Sequence, residues 1–153
     1  MEWAAELLVE IRGITKSYES ILKVVCEKYG LTAIEGKIVS FLCNNPGKDT
    51  AAEIAELRML SKGNISQAVE SLLRRGFLRR TPDAGDRRKV HLSLLPETEK
   101  ITGELEEAWK KFYLRLFDGF SAEEMEKYGE FRERMMRNIR DFDGEAHHES
   151  RNG

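Results

Sequence analysis

Three prolines, two cysteines and three histidines are all that this 153-residue chain holds of the residues that break helices, crosslink loops or ligate metals. So few prolines leave room for long uninterrupted helices. Cys26 and Cys43 show no paired spacing and no Cys-x-x-Cys, so no disulfide or zinc framework is expected. The histidines are His91, on the polar side of a strand candidate, and the adjacent His147 and His148. They form no cluster with ligand spacing, so no metal and no cofactor is expected. No nucleophile elbow, P-loop or dinucleotide fingerprint occurs and no triad is plausible, which argues against an enzyme. No apolar run approaches the ~20 residues that span a bilayer. The opening Met1-Glu2-Trp3 lacks the basic and apolar regions of a secretory leader, so a cytoplasmic location without a membrane partner is expected.

What is present is charge, unevenly placed. The net charge is −2, yet Arg58 to Lys89 carries nine Lys/Arg against Glu70, Asp83 and Asp86. That segment is +6 and the remainder −8. A basic middle between acidic ends suits one face meeting phosphate while the rest faces water.

Apolar residues recur at Leu7, Ile11, Ile14, Tyr18, Ile21 and Val25 in steps of 4, 3, 4, 3 and 4. A 3.5-residue period predicts a helix with a seam against another helix, ended by Gly30. Thr32 and Glu35 form a capping box opening a second helix, with Ile34, Ile38, Phe41 and Leu42 inward and Asn44-Asn45-Pro46-Gly47 as its stop. Another box, Thr50 and Glu53, opens a short helix burying Ile54, Ala55 and Leu57. After Arg58-Met59-Leu60, Ser61 caps a helix that buries Ile65, Val69, Leu72 and Leu73 and closes at Gly76. Two short helices joined this tightly make a helix-turn-helix.

The period then changes. Phe77–Thr81 reads as a strand, and Val90–Leu94 alternates cleanly, burying Val90, Leu92 and Leu94. Turn formers and a basic tip, Asp86-Arg87-Arg88, lie between them. Pro96 suits the start of a helix with a stripe of Ile101, Leu105, Ala108, Phe112 and Leu116, broken by Gly119. A third box at Ser121 and Glu124 opens a last helix repeating Met125, Tyr128, Arg132, Met135, Ile139 and Phe142. The expected fold is mainly α with a small β-hairpin: a winged helix-turn-helix flanked by N- and C-terminal dimerisation helices. Residues 1–30 and 96–143 form the helical dimerisation region, 31–95 the DNA-binding region, and 144–153 a disordered tail.

The second helix of such a motif enters the major groove of duplex DNA. Its outward residues here are Lys62, Gly63, Asn64, Ser66 and Gln67, following Ser61. The Asn64 and Gln67 amides suit adenine, Lys62 suits guanine or phosphate, and Ser61 and Ser66 suit base or backbone. Gly63 allows close approach. At the wing, Arg87 and Arg88 are DNA-contact candidates, Arg87 as the minor-groove arginine. Asp86 is expected to pair with Arg88 and fix its direction.

The run Ser61-Lys62-Gly63-Asn64-Ile65-Ser66-Gln67-Ala68-Val69, with Leu72, Gly76-Phe77-Leu78, Asp86-Arg87-Arg88 and Leu92-Ser93-Leu94, resembles the MarR family of winged helix-turn-helix transcription regulators. The resemblance spans about Trp3 to Phe142. It implies a homodimer joined through its terminal helices, a palindromic operator and, in many members, a small-molecule effector pocket between the dimerisation and DNA-binding parts. It implies a sequence-specific DNA-binding regulator, commonly a repressor. Two features depart from the pattern. Leu94-Leu95-Pro96-Glu97-Thr98 replaces the usual Leu-Thr and following Gly, losing a helix cap, and Glu70 lies on the groove-facing side.

The seams needing a partner surface include Ile11, Ile14 and Tyr18, then Leu105 and Phe112, then Tyr128, Met135 and Ile139; a second copy of the chain is the expected partner. Trp3, Trp109, Phe112, Tyr113 and Phe117 read as dimer core, with a small-molecule cavity as the alternative. Cys26 and Cys43 read as inert structural thiols. The competing function is a winged-helix protein-interaction module without specific DNA binding, suggested by the acidic total charge and Glu70.

Overall fold

The computed structural model describes residues 2–58 and 60–149, which divide into two compact units after Tyr113. Met59 of the expected helix-turn-helix connection lies outside the described residues.

The first unit opens with helix α1 (Glu2–Tyr29), whose C-terminal half contributes Leu22, Val25 and Cys26 to the core. Gly30 ends it at φ +63°, a conformation that penalises any residue with a Cβ. Helix α2 (Ala33–Asn44) begins at its capping box: Glu35 N–H donates to Thr32 Oγ1, and Thr32 N–H donates back to the Glu35 carboxylate. Because α2 packs against both α1 and a later helix, its buried arc is wider than one stripe. Ile38, Val39 and Phe41 are fully enclosed, with Ile34 and Leu42 half-buried at the edges.

Helix α3 (Ala51–Arg58) starts from the reciprocal bonds of Thr50 and Glu53. Ile54 and Ala55 enter the core, but Leu57, expected inward, is half exposed. At about 100° per residue, Ala55 and Leu57 flank Ile54 on opposite sides, and one short helix cannot bury both. Helix α4 (Lys62–Arg74) is capped by Ser61, whose Oγ accepts from Asn64 N–H. Ile65, Ala68, Val69 and Leu72 form its buried face.

Strands β1 (Leu78–Pro82) and β2 (Val90–Leu94) pair antiparallel, with Leu78 opposite Leu94 and Pro82 opposite Val90. Leu78 and Leu92 are buried and Leu94 half-buried. Val90, expected inside, is exposed because its pair is the last before the loop, where the hairpin has left the helical core. The α2–α3 connection runs along β2: Leu92 N–H donates to Asp49 O at 2.8 Å, and Thr50 bridges His91.

A 3₁₀ turn, Pro96–Thr98, leads into helix α5 (Glu99–Leu116). No side chain caps that turn, as expected; instead the Thr98 hydroxyl donates to Leu95 O at 2.6 Å. Ile101 and Leu105 join the core. Leu105 was expected on a dimer seam, but it is buried in the core of the first unit, only 6% exposed.

The second unit continues through Gly119 to the third capping box, Ser121 with Glu124, and helix α6 (Ala122–Glu149). The helix passes the expected end near Phe142, so residues 144–149 are helical where a disordered tail was expected. One glycine, Gly144, does not outweigh the good helix formers Glu145, Ala146 and Glu149 around it. Residues 150–153 lie outside the described ones. Tyr128, Phe131, Met135, Ile139 and Phe142 are all 44–68% exposed along α6. Six helices and a two-stranded hairpin make the winged helix-turn-helix expected from the sequence. None of the described helices is long and apolar enough to cross a membrane.

Candidate nucleic-acid interface

Amphipathicity orients α4. Burying Ile65, Ala68, Val69 and Leu72 turns Lys62, Gly63, Asn64, Ser66 and Gln67 outward, and all five are exposed together with the cap Ser61. These residues occupy the helix N-terminus, where free N–H groups and the helix dipole favour a phosphate. A Cβ on Gly63 would meet nothing within 4 Å, so the glycine keeps this surface low without being required by the chain's own packing.

Glu70, on the same side one turn further on, is not a bare negative charge. It pairs with the Arg80 guanidinium of β1, which offsets the unfavourable charge read from the sequence. Arg75 is likewise committed internally. It donates to Tyr29 O and Gly30 O at 2.9 Å each, approaches Glu35 at 3.5 Å and stacks over Phe77. Counting charges along the sequence therefore overstates the cations free to meet phosphate.

The wing tip is built by aspartates acting on backbone. Asp83 Oδ1 accepts from Gly85 and Asp86 N–H, both at 2.8 Å. Asp86 Oδ1 accepts from Arg88 N–H at 2.9 Å, whereas the Arg88 Nε lies 3.8 Å away on a side chain 95% exposed. Asp86 and Arg88 are thus brought together, but the carboxylate chiefly shapes the turn; so exposed an ion pair holds a side chain only loosely. Arg87 and Arg88 both project into solvent.

Sequence reading missed one constellation here. His91 lies between Asp49 and Asp83, with Nδ1 2.6 Å from the former and Nε2 2.8 Å from the latter. Its bonds to Asp49 and then Asp83 raise its pKa above the ordinary 6.5. Those from His91, Gly85 and Asp86 hold Asp83 well below the usual carboxylate range. No sequence motif links residues 42 and 8 positions apart; the register of β2 brings them together.

Behind the helix-turn-helix, α1, α2, α3 and α5 surround an open cavity of about 720 Å³. Tyr18, Phe41, Trp109 and Phe112 supply aromatic walls, and Lys48 and Arg58 supply charge. Trp109 stands edge-on to Tyr18 at 5.0 Å. Arg58 lies over the Phe41 ring, and its Nε is buried without a hydrogen-bond partner among the described residues. Tyr18, expected on the dimer seam, faces this cavity and shares a 2.9 Å hydrogen bond with Ser40. Of the aromatics expected as dimer core, Trp109 and Phe112 line it too, which is the cavity alternative. Phe117 packs with Phe120 and Tyr128 in the second unit, and Trp3 and Tyr113 are exposed. Ile11 on α1 is 48% exposed, and Ile14, 41% exposed, also lines the cavity.

Burial raises the pKa of both thiols, helped by Glu35 at Cys26 and by the hydrogen bond to Glu106 at Cys43. Both shifts work against the reactive thiolate.

Residues 29–89 match the MarR family. No curated protein matches the chain. A MarR-family transcriptional regulator from Silicibacter pomeroyi superposes with a TM-score of 0.72 at 21% identity, over 84% of this chain and 86% of that one. A MarR protein from Peptoclostridium difficile gives 0.71 at 20%, over 88% of each chain. A mutant of S. aureus MepR bound to an oligodeoxyribonucleotide gives 0.55 at 19%, over 87% of this chain and 97% of that one. The family's sequence pattern thus covers the helix-turn-helix and the wing as far as its loop, in a chain that shares the fold of solved regulators over 84–88% of its length, and the MarR-family resemblance read from the residues holds.

Proposed function

We propose that the chain is a sequence-specific DNA-binding transcription regulator acting as a homodimer on a palindromic operator. The observation that carries the reading is an exposed, polar helix N-terminus, Ser61 to Gln67, in the same fold unit as a wing tipped by Arg87 and Arg88. Lys62, Asn64 and Gln67 read base edges in the major groove, Ser61 and Ser66 hold backbone or base, and Arg87 enters the minor groove beside them. Arg88 contacts backbone from the same turn. DNA bound to the S. aureus relative supports this use of the fold.

Residues 31–95 act as the reading head, and the helices of 1–30 and 96–143 pair two protomers. Ile11 and Ile14 on α1 and Tyr128, Met135 and Ile139 on α6 supply apolar surface for that pairing. Pairing sets two recognition helices roughly 34 Å apart, one turn of DNA. Occupancy of a promoter operator then represses transcription in the cytoplasm, and the chain has no catalytic role. A small molecule in the cavity behind the helix-turn-helix releases the dimer by changing the separation of the heads. The unpartnered Arg58 Nε among aromatic rings favours a flat organic anion there.

Arg87→Ala tests the wing. It is expected to weaken duplex binding by about 1–3 kcal/mol while leaving the dimer intact. Unchanged affinity, read by fluorescence anisotropy with the mass checked by light scattering, would remove the wing from the interface.

A further inference from the structure

His91 faces two carboxylates at once, and they belong to different parts of the unit. Asp49 lies in the connection between α2 and α3, and Asp83 at the start of the wing loop. An ionised carboxylate can only accept, so each ring nitrogen must donate, and an imidazole with two N–H groups is a cation. A neutral ring would set a lone pair against one of the two acids. Asp83 also accepts from Gly85 and Asp86, so whatever holds Asp83 holds the backbone immediately before Arg87.

From these contacts we infer that His91, as an imidazolium, is a positioning residue for DNA binding: it ties the wing loop to the α2–α3 connection and so fixes where Arg87 sits relative to the recognition helix. The inference rests on the DNA-binding reading above. It assigns His91 no contact with DNA.

The other charged groups at this junction are Glu53 of α3, which accepts from Asp49 N–H and from Thr50, and Lys89 of the wing, whose charge acts on Glu53. The lowered pKa of Glu53 comes mainly from Thr50, so Glu53 stays ionised beside Asp49, and the acids acting on the His91 ring are Asp49 and Asp83. His91 is raised by its two acids, so its contribution is complete below 6.5 and disappears as pH climbs through the raised value. Asp83 is depressed, so its contribution is present throughout the neutral range and disappears only in strong acid. The latch therefore opens on the alkaline side.

Asp83→Asn separates this role from simple packing. An asparagine amide can donate to Nε2 while its oxygen keeps the turn, which matches a neutral ring that donates from Nδ1 to Asp49. The experiment follows His91 ring and Asp86 to Lys89 amide resonances with pH, and in parallel the affinity for a labelled duplex enriched from a random pool. In the wild type the wing amides are expected to shift with the same midpoint as His91, above 6.5, and affinity to fall at least threefold across that transition. In Asp83→Asn the fall is expected to vanish, with the salt slope equal to that of the wild type. Wing amides that ignore the His91 titration, or an equal fall in both proteins, would overturn the inference. A wild-type salt slope that drops by about one with pH would also overturn it, because His91 would then be touching phosphate. Wing amides that follow His91 in a protein binding no duplex would leave the latch standing and remove both the DNA reading and the positioning role.

Discussion

Arg75 illustrates how a single side chain can be misassigned by charge alone. It lies in the most basic stretch of the chain, yet its guanidinium closes the C-terminus of α1 by donating to two carbonyls there and approaches the buried Glu35. Helix ends leave carbonyls without partners, and a cation there also opposes the helix dipole. Removing it takes the donor from those carbonyls and the nearby cation from Glu35, which keeps its capping bond to Thr32. We expect Arg75→Ala to destabilise the fold by about 1–2 kcal/mol, the figure reduced because the side chain is a third exposed. Urea denaturation measures this, and an unchanged midpoint would contradict the clamp. Glu70 is the complementary case, an acid on the exposed side of α4 that is paired with Arg80.

Among elements, the α1–α2 contact depends on Gly36. A Cβ there would lie 2.2 Å from Cys26 Sγ, with Leu22 close behind. Alanine gains about 1 kcal/mol of helix propensity over glycine. Overpacking a closed core loses about 1–3 kcal/mol, and a contact this short belongs at the upper end. Gly36→Ala is therefore expected to destabilise, and adding Cys26→Ala to recover most of the loss. A thermal-melt double-mutant cycle reads the coupling; additive effects would mean that α1 simply moves aside. Capping boxes, by contrast, were legible from sequence because their two partners lie three residues apart: Thr32 with Glu35, Thr50 with Glu53 and Ser121 with Glu124 are all formed. Periodicity found every helix and both strands. It misjudged Leu57, Val90 and Leu105 because it reports a face and not what covers that face.

For the whole molecule, the candidate interface was legible wherever residues are contiguous, in Ser61 to Gln67 and Asp86 to Arg88. His91 with its two aspartates, and Arg58 among the rings of the cavity, were not legible, since each depends on chain segments that only folding brings together. Tyr18 shows the same limit: its heptad position suggested a seam, but it turns toward Ser40 and the cavity. The exposed row on α6 is a cleaner place to test pairing, because Ile139 is 54% exposed and outside the first unit's core. Ile139→Glu is expected to yield a folded monomer by sedimentation velocity, with operator affinity down at least tenfold. A folded dimer of normal affinity would place the pairing surface elsewhere.

The central claim, a dimer that reads sequence with two heads, is tested most directly by selecting bound duplexes from a random pool at low and near-physiological salt. The account predicts enrichment of one palindrome whose half-sites are centred about one helical turn apart, persisting at the higher salt. Binding that enriches no sequence and vanishes as salt rises would leave only attraction to phosphate, and the winged helix would then be a protein-interaction module.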